Sequence, residues 1–117
     1  MIVEDDVDLR TALGTSLRRH GLASFGVGSG SEALGAMERT VFDAVLLDLN
    51  LPGIHGCRLL RRIQCLENAP PAVILSGADQ NAMVRAGVNG ARVVLQKPTR
   101  PSEVAEALSR VISGGGR

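Results

Sequence analysis

The chain has 117 residues, with 13 Lys and Arg against 12 Asp and Glu and a formal net charge of +1. This length and a hydrophobic content of 44% fit one globular domain with a buried core. The near-zero charge gives no general attraction to nucleic acid or to membrane surfaces, two aromatic residues are too few for a base-stacking platform, and no apolar run approaches the roughly 20 residues that cross a bilayer.

Short apolar runs alternate with segments of helical periodicity, which is typical of β and α elements around a parallel sheet. In chain order, strands are predicted over 1–3, 22–27, 43–48, 72–76 and 92–96. We expect the first strand to be clipped, with a residue or two missing upstream. The second alternates apolar and polar residues and is placed at a half-exposed edge, whereas the third is apolar in its middle, as a central parallel strand should be.

Helices are predicted between these strands. The first carries the spacing Leu9, Ala12, Leu13, Leu17 and stops at His20-Gly21, and the others cover 31–39, 56–66, 79–88 and 102–112. The helix over 56–66 has Leu59, Ile63 and Leu66 on one face. The helix over 79–88 contains no Leu or Ile and is expected to be the least stable. In the last helix, the residues expected to face the core are Val104, Ala107, Leu108, Val111 and Ile112.

Five such strand–helix units with right-handed crossovers predict a doubly wound α/β fold, a five-stranded parallel sheet with helices on both faces. The domain is expected to cover 1–113. The glycine-rich segment 114–117 is interpreted as a linker or tail that a further domain could follow. In such folds the ligand site lies at the carboxyl ends of the strands.

Polar side chains follow four of the predicted strands. Glu4 and Asp5 follow the first, Asp48 ends the third, Ser76 ends the fourth, and Lys97 follows the fifth. Three clustered carboxylates repel one another unless a cation lies between them, and Mg²⁺ prefers oxygen ligands of this kind. An ion beside a carboxylate, a hydroxyl and an ammonium group is typical of phosphoryl transfer.

Each of these residues also has an ordinary structural explanation. Asp6 and Asp8 are interpreted as helix-capping or first-turn acids, and single residues such as Ser76 or Lys97 are most often a turn hydroxyl and a surface charge. The functional interpretation depends on the whole set, because each member occupies the end of a different strand on one edge of the sheet.

With these residues in place, the sequence closely resembles the receiver domain of two-component response regulators over essentially its whole length. Val3-Glu4-Asp5-Asp6 resembles the family's acidic pair, and Leu46-Leu47-Asp48-Leu49-Asn50-Leu51-Pro52-Gly53 resembles the segment around its phosphoacceptor aspartate. Ser76 and Lys97-Pro98 match the hydroxyl residue and the Lys-Pro pair, whose peptide bond is commonly cis in the family. The resemblance implies the flavodoxin-like strand order 2-1-3-4-5.

The resemblance also implies a function. Asp48 would accept a phosphoryl group from a sensor histidine kinase or a histidine phosphotransfer protein, with Ser76 and Lys97 contacting it. Mg²⁺ would be bound by Glu4, Asp5, Asp48 and the backbone carbonyl of Asn50. A downstream effector domain or a homodimer is a further expected partner; direct nucleic-acid binding, membrane association and turnover of an external substrate are not expected. One departure is Val94, which stands where the family often has a switching Tyr or Phe.

Three alternatives stay open at this point. Gly28-Ser29-Gly30-Ser31-Glu32-Ala33 matches the G-x-G-x-x-A dinucleotide fingerprint, with Asp48 twenty residues after Gly28, but this interpretation leaves the acidic pair and Lys97 unexplained. A phosphatase with an aspartate nucleophile would lack its second aspartate. The third alternative is a receiver that binds proteins independently of phosphate.

The two cysteines, Cys57 and Cys65, lack the neighbouring ligands of a zinc site and are expected to be reduced thiols of a cytoplasmic protein. His20 and His55 are not convincing ligands either, because each stands beside a glycine in a predicted turn.

Overall fold

A computed structural model describes residues 1–49, 56–77 and 90–114. Its elements in chain order are β1 (Ile2–Val3), α1 (Val7–Arg19), β2 (Gly26–Val27), α2 (Gly30–Arg39), β3 (Val45–Asp48), α3 (Gly56–Gln64), β4 (Ala72–Ser76), β5 (Val93–Gln96) and α4 (Pro101–Gly114). The predicted helix over 79–88 lies outside the described residues. Within them, no helix is both long and apolar enough to cross a membrane.

The five strands form one sheet in the order β2-β1-β3-β4-β5, and every pairing is parallel. This confirms the predicted fold class and strand order. The two long central strands are buried along their whole length, which explains their continuous apolar sequences. All carboxyl ends of the strands therefore meet at one edge of the sheet.

Helices cover the sheet on both faces because successive strand residues point to opposite sides. On one face, Val45, Leu47 and Ile74 pack with α2 and α3, whose fully buried side chains include Leu59, Leu60 and Ile63. On the other face, a second cluster joins the sheet to α1 and α4; its buried members are Ile2, Leu13, Leu17, Ala44, Leu46, Val73, Leu75, Val104, Ala105, Leu108 and Val111. The core is thus two apolar layers with the sheet between them.

The second strand is much shorter than predicted. Only Gly26–Val27 is a strand, because β2 has β1 as its partner and β1 itself spans two residues. Before it, the amide of Leu22 donates to the carbonyl of Leu17 at the end of α1, so this part of the chain belongs to the helix terminus. Phe25 is exposed and contacts the ring of Phe42, with centroids 6.0 Å apart. The expected edge location is confirmed.

The helix boundaries differ from the predictions by one to two residues. Helix α3 ends at Gln64, so Leu66 is half-buried beyond it, whereas Leu60, which was not expected on the core face, is fully buried. Ala12 was expected on the core side of α1 and is exposed. Helix α4 begins at Pro101, a residue whose fixed φ suits the first turn of a helix, and it includes Gly114. Residues 115–117 lie outside the described residues.

Candidate functional site

Four neighbouring strands bring the predicted site residues to the same edge of the sheet. The register pairs Val3 with Leu47, Asp48 with Leu75, and Ser76 with Gln96. Glu4, Asp48, Ser76 and Lys97 therefore stand at adjacent strand ends. We call these four residues and Asp5 the rim site.

Three carboxylates of the rim site form a tight cluster. One oxygen from each of Glu4, Asp5 and Asp48 can be chosen so that all three lie within 4.8 Å of one another. Glu4 is only 3% exposed and Asp48 only 2%, whereas Asp5 is open to solvent. The cluster is thus anchored in the protein and reachable from outside through Asp5.

The repulsion expected among clustered carboxylates affects the pKa of Glu4. Burial, together with the neighbouring Asp48 carboxylate, raises the pKa of Glu4 to about 8. Its Oε1 accepts a long hydrogen bond of 3.4 Å from the amide of Asp6, while its buried Oε2 has no hydrogen-bond partner among the described residues. A buried oxygen without a donor fits a hard divalent cation, which prefers oxygen ligands and removes the repulsion. The residues present therefore fit Mg²⁺.

Lys97, the single lysine of the chain, is bonded to Asp48. Its ammonium Nζ donates to Asp48 Oδ2 at 2.6 Å, and its side chain is 32% exposed while that of Asp48 is 3% exposed. The ion pair offsets the burial of the aspartate and favours its ionised form. An ionised carboxylate beside a cation and two further acids is the arrangement of a nucleophile for a phosphoryl group.

Ser76 is fully buried at the end of β4. Its hydroxyl donates to the carbonyl of the next residue, Gly77, at 3.3 Å, which is long for a bond between two oxygens. The carbonyl of Ser76 also accepts from the backbone amide of Lys97 at 2.7 Å, just before the cis peptide bond between Lys97 and Pro98. This hydrogen bond joins the end of β4, which carries the hydroxyl group, to the segment after β5, which carries the ammonium group.

The other acids near β1 have the structural role predicted for them. Asp6 is the N-cap of α1, since its carboxylate accepts from the amides of Asp8 and Leu9 at 3.0 and 3.2 Å. Asp8 lies in the first turn of the helix, where a negative charge is favourable. Neither belongs to the carboxylate cluster.

The fingerprint-like segment is explained by helix capping. Ser29 is the N-cap of α2 and accepts from the amide of Glu32, and the preceding strand β2 is the exposed edge of the sheet. A dinucleotide fingerprint would instead follow a buried central strand. The segment therefore gives no support to nucleotide binding.

Two features complete the description of the site: the predicted metal ligand Asn50 and an unpredicted contact of Arg10. Asn50, whose carbonyl the resemblance implies as a metal ligand, lies outside the described residues. The sequence did not point to Arg10, whose Nη1 donates to the backbone carbonyl of Glu4 at 2.8 Å. Its position on the helix gave no signal, because the contact depends on how α1 crosses the end of β1.

Comparisons with known proteins agree with this fold and site. The family model of the response regulator receiver domain matches residues 1–109. The transcriptional activator protein PfeR of Pseudomonas aeruginosa is 39% identical over 106 residues, which cover 89% of this chain and 34% of PfeR. DNA-binding response regulator MtrA of Mycobacterium tuberculosis is 35% identical over 108 residues and 46% of its length. The chain thus spans less than half of these relatives.

Solved structures show the same architecture. A response regulator from Chloroflexus aurantiacus, itself described as putative, superposes with a TM-score of 0.88 at 30% identity, covering 96% of this chain and 94% of that one. The receiver domain of sensor histidine kinase PA1611 from Pseudomonas aeruginosa superposes with a TM-score of 0.85 at 30% identity over the same shares. That structure holds a magnesium ion in its active-site cleft.

A doubly wound parallel sheet with acids, a hydroxyl and a lysine on its carboxyl edge is the architecture of a receiver-type signalling domain. More particularly, the chain belongs to the response regulator receiver domain family of two-component signal transduction.

Proposed function

We propose that this domain is a phosphorylation-dependent switch that accepts a phosphoryl group on Asp48 with the help of Mg²⁺. The observation that carries the proposal is the environment of Asp48, a buried carboxylate 2.6 Å from the Lys97 ammonium and within 4.8 Å of oxygens of Glu4 and Asp5. No external substrate is turned over in this proposal, since the protein itself is the acceptor.

Glu4, Asp5 and Asp48 would hold the metal, with the carbonyl of Asn50 as a further ligand. When bound, Mg²⁺ neutralises charge on the carboxylates and on the phosphoryl oxygens. Asp5 forms the solvent-exposed side of the cluster. Lys97 supplies a further positive charge next to the aspartate.

In the transfer step, a carboxylate oxygen of Asp48 attacks phosphorus. The new bond is P–O, the bond that breaks is the P–N bond to the imidazole of a donor phosphohistidine, and the electron pair stays on that nitrogen. The product is an aspartyl phosphate. Because an ionised carboxylate would be the nucleophile, the chain needs no general base, and the adjacent Lys97 ammonium favours the ionised form of Asp48.

The aspartyl phosphate carries about −1.5 to −2 charge at neutral pH, in place of the single negative charge of the carboxylate. Lys97 and Ser76 then gain a new acceptor, and the weak bond of the Ser76 hydroxyl to Gly77 is exchanged for a charge-assisted one. The backbone hydrogen bond between Ser76 and Lys97 links the two residues that would contact the phosphoryl group. The segment predicted to change is 79–88, for which the sequence predicts a helix and which begins two residues after Gly77. Because residue 94 is a valine, an aromatic rotation at that position is not part of this proposal.

The partner that supplies the phosphoryl group is proposed to be a sensor histidine kinase or a histidine phosphotransfer protein of the cytoplasm. The exposed side of α1 and the rim site are the surfaces that such a helical donor would contact. The greater length of PfeR and MtrA leaves room for an effector domain after the receiver, and a homodimer is the other proposed output.

Phosphorylation by acetyl phosphate tests the proposal. Wild-type protein, Asp48→Asn and Asp43→Asn are incubated with Mg²⁺ or with EDTA, and intact masses are compared. Asp43 is an exposed aspartate just before β3 and serves as the matched control. We expect one phosphoryl group on the wild type and on Asp43→Asn, with Mg²⁺ only, and none on Asp48→Asn. A modified Asp48→Asn protein would reject Asp48 as acceptor, and a wild type that binds Mg²⁺ without modification would favour a phosphate-independent interaction module.

A further inference from the structure

Arg10 lies across the end of β1 and the neighbouring edge strand β2. It stands in the second turn of α1, is half-buried, and its guanidinium Nη1 donates to the carbonyl of Glu4 at 2.8 Å. Strand β1 ends at Val3, so this carbonyl falls beyond the ladder, where a buried acceptor needs another donor. The arginine supplies that donor from the helix that follows.

The rest of the side chain lies along the exposed edge strand. A Cβ atom built on Gly26 would come within 2.9 Å of Arg10 Cδ and 3.0 Å of Cγ, and one on Gly28 within 3.1 Å of Nη1. Residues two apart in an extended chain share a face, so the two glycines form one flat seat for the arginine. Neither glycine has a positive φ. What distinguishes these glycines is the space that they leave for Arg10, because a larger side chain at either position would crowd it. This accounts for Gly28, which the fingerprint-like motif had singled out.

The segment between β1 and α1 is short and carries two of the three clustered acids. The amide of Glu4 donates to the carbonyl of Val27 at 3.0 Å, and its carbonyl accepts from Arg10, so the backbone of Glu4 is fixed on both sides. Fixing it also sets the direction in which the Glu4 and Asp5 side chains leave the strand. Both must point to Asp48 to make the cluster.

We propose that Arg10, seated on Gly26 and Gly28, is a positioning residue that holds the carbonyl of Glu4 and thereby orients Glu4 and Asp5 for Mg²⁺. The inference rests on the proposed function, since it concerns the same metal site. Arg10 acts through the backbone of Glu4 and has no part in the transfer to Asp48. Groups that orient metal ligands in this way typically contribute about 10- to 100-fold to metal affinity.

Mg²⁺ affinity measured by calorimetry separates positioning from a purely structural role. Arg10→Met keeps much of the apolar stem and removes the donor. We expect it to bind Mg²⁺ about tenfold more weakly or worse, yet to be phosphorylated by acetyl phosphate to the wild-type extent once Mg²⁺ is saturating. Arg18→Met, an exposed arginine on the same helix, is the matched control and should bind like the wild type.

A second variant displaces the Arg10 side chain by changing Gly26, on which it packs. Gly26→Ala leaves every charged group in place and pushes on the stem of Arg10, so it should weaken Mg²⁺ binding in the same direction by a smaller factor. Gly35→Ala, which has open space around it, is its control. If Arg10→Met does not fold, Gly26→Ala decides the matter, and wild-type affinity in that variant would overturn the inference.

The outcomes distinguish this inference from the proposed function. If the wild type binds no Mg²⁺, both the proposed function and the inference about Arg10 are wrong. A wild type that binds Mg²⁺ and is phosphorylated, with an Arg10→Met protein whose affinity is within about twofold of it, overturns the inference alone, because the expected loss is tenfold or more. A lower melting temperature with unchanged Mg²⁺ affinity would make Arg10 merely structural.

Discussion

The rim site and the apolar layer beneath α3 are built from the same strands but have opposite energetics. Under α3, Leu47, Leu59 and Ile63 are completely buried and exclude water from apolar surface, which stabilises the fold. At the rim, Glu4 and Asp48 are almost as buried, yet they place two carboxylates side by side. The apolar layer stabilises the fold, whereas the buried carboxylates of the rim site cost electrostatic free energy. In the proposed function, these carboxylates are the site for a cation and a phosphoryl group.

Removal of the Lys97 ammonium group from the rim site should give the largest change in the phosphorylation rate. Lys97→Met leaves Asp48 without its 2.6 Å partner. We expect phosphorylation by acetyl phosphate to slow by about 10²-fold, the usual effect of deleting one donor that stabilises developing charge. Initial rates at saturating Mg²⁺ measure it, with Arg100→Met, an exposed cation before α4, as control. A rate equal to wild type would remove Lys97 from the mechanism.

A cavity in the apolar layer should change stability and leave the rim intact. Leu59→Ala is expected to lower the free energy of unfolding by about 2–5 kcal/mol, because it removes buried methyl groups and leaves a void. Urea denaturation measures this loss, and Leu66→Ala, a half-buried position beyond α3, should cost less. Mg²⁺ affinity of the folded protein should stay the same. A weaker affinity would show that the two regions are coupled.

Neutralising Glu4 should stabilise the protein in the absence of Mg²⁺. The pKa of Glu4 is raised from 4.5 to about 8, so the folded state binds its proton more tightly than the unfolded chain does. Stability of the wild type therefore falls as pH rises from about 4.5 through about 8. Glu4→Gln removes this dependence, and we expect it to be more stable by about 1–3 kcal/mol at alkaline pH, with little difference in acid.

Thermal melts with EDTA from about pH 4.5 to about pH 8 test the direction of the stability difference between Glu4→Gln and the wild type. Glu38→Gln, an exposed glutamate of α2, should melt like the wild type at every pH. Added Mg²⁺ should narrow the difference between Glu4→Gln and the wild type, because the ion stabilises only the protein that keeps all three carboxylates. A variant less stable than wild type at alkaline pH would contradict the account.

The smallest effect is expected outside both regions. Val41 is 70% exposed before β3, so Val41→Thr should change the free energy of unfolding by less than about 0.5 kcal/mol and leave phosphorylation unchanged. Urea melts and the acetyl phosphate assay measure the two properties. A larger loss of stability would mean that this surface is covered in solution.

The features that could be predicted from the sequence are those that depend on strongly patterned, buried segments. The apolar run before Asp48 identified a central strand, and with that strand placed, the acids after β1, Ser76 and Lys97 fell on one edge of the sheet. Their chemistry followed from residue type and from the resemblance to a known family.

The remaining features depend on three-dimensional neighbours. Phe25 lies in an alternating segment that predicts a strand, but it falls just before the short β2 at the edge of the sheet and its side chain is exposed. Ala12 fits the core spacing of α1 and yet faces solvent. The seat of Arg10 joins a helix to Gly26 on a strand sixteen residues later, and only the pairing register brings the two together.

Identification of the modified residue tests the central claim most directly. Wild-type protein is phosphorylated with acetyl phosphate and Mg²⁺, reduced with borohydride, which converts an aspartyl phosphate to homoserine, and its peptides are sequenced by mass spectrometry. The account predicts homoserine at position 48 alone. Homoserine at another aspartate, or a phosphoryl group on Ser76, would contradict it.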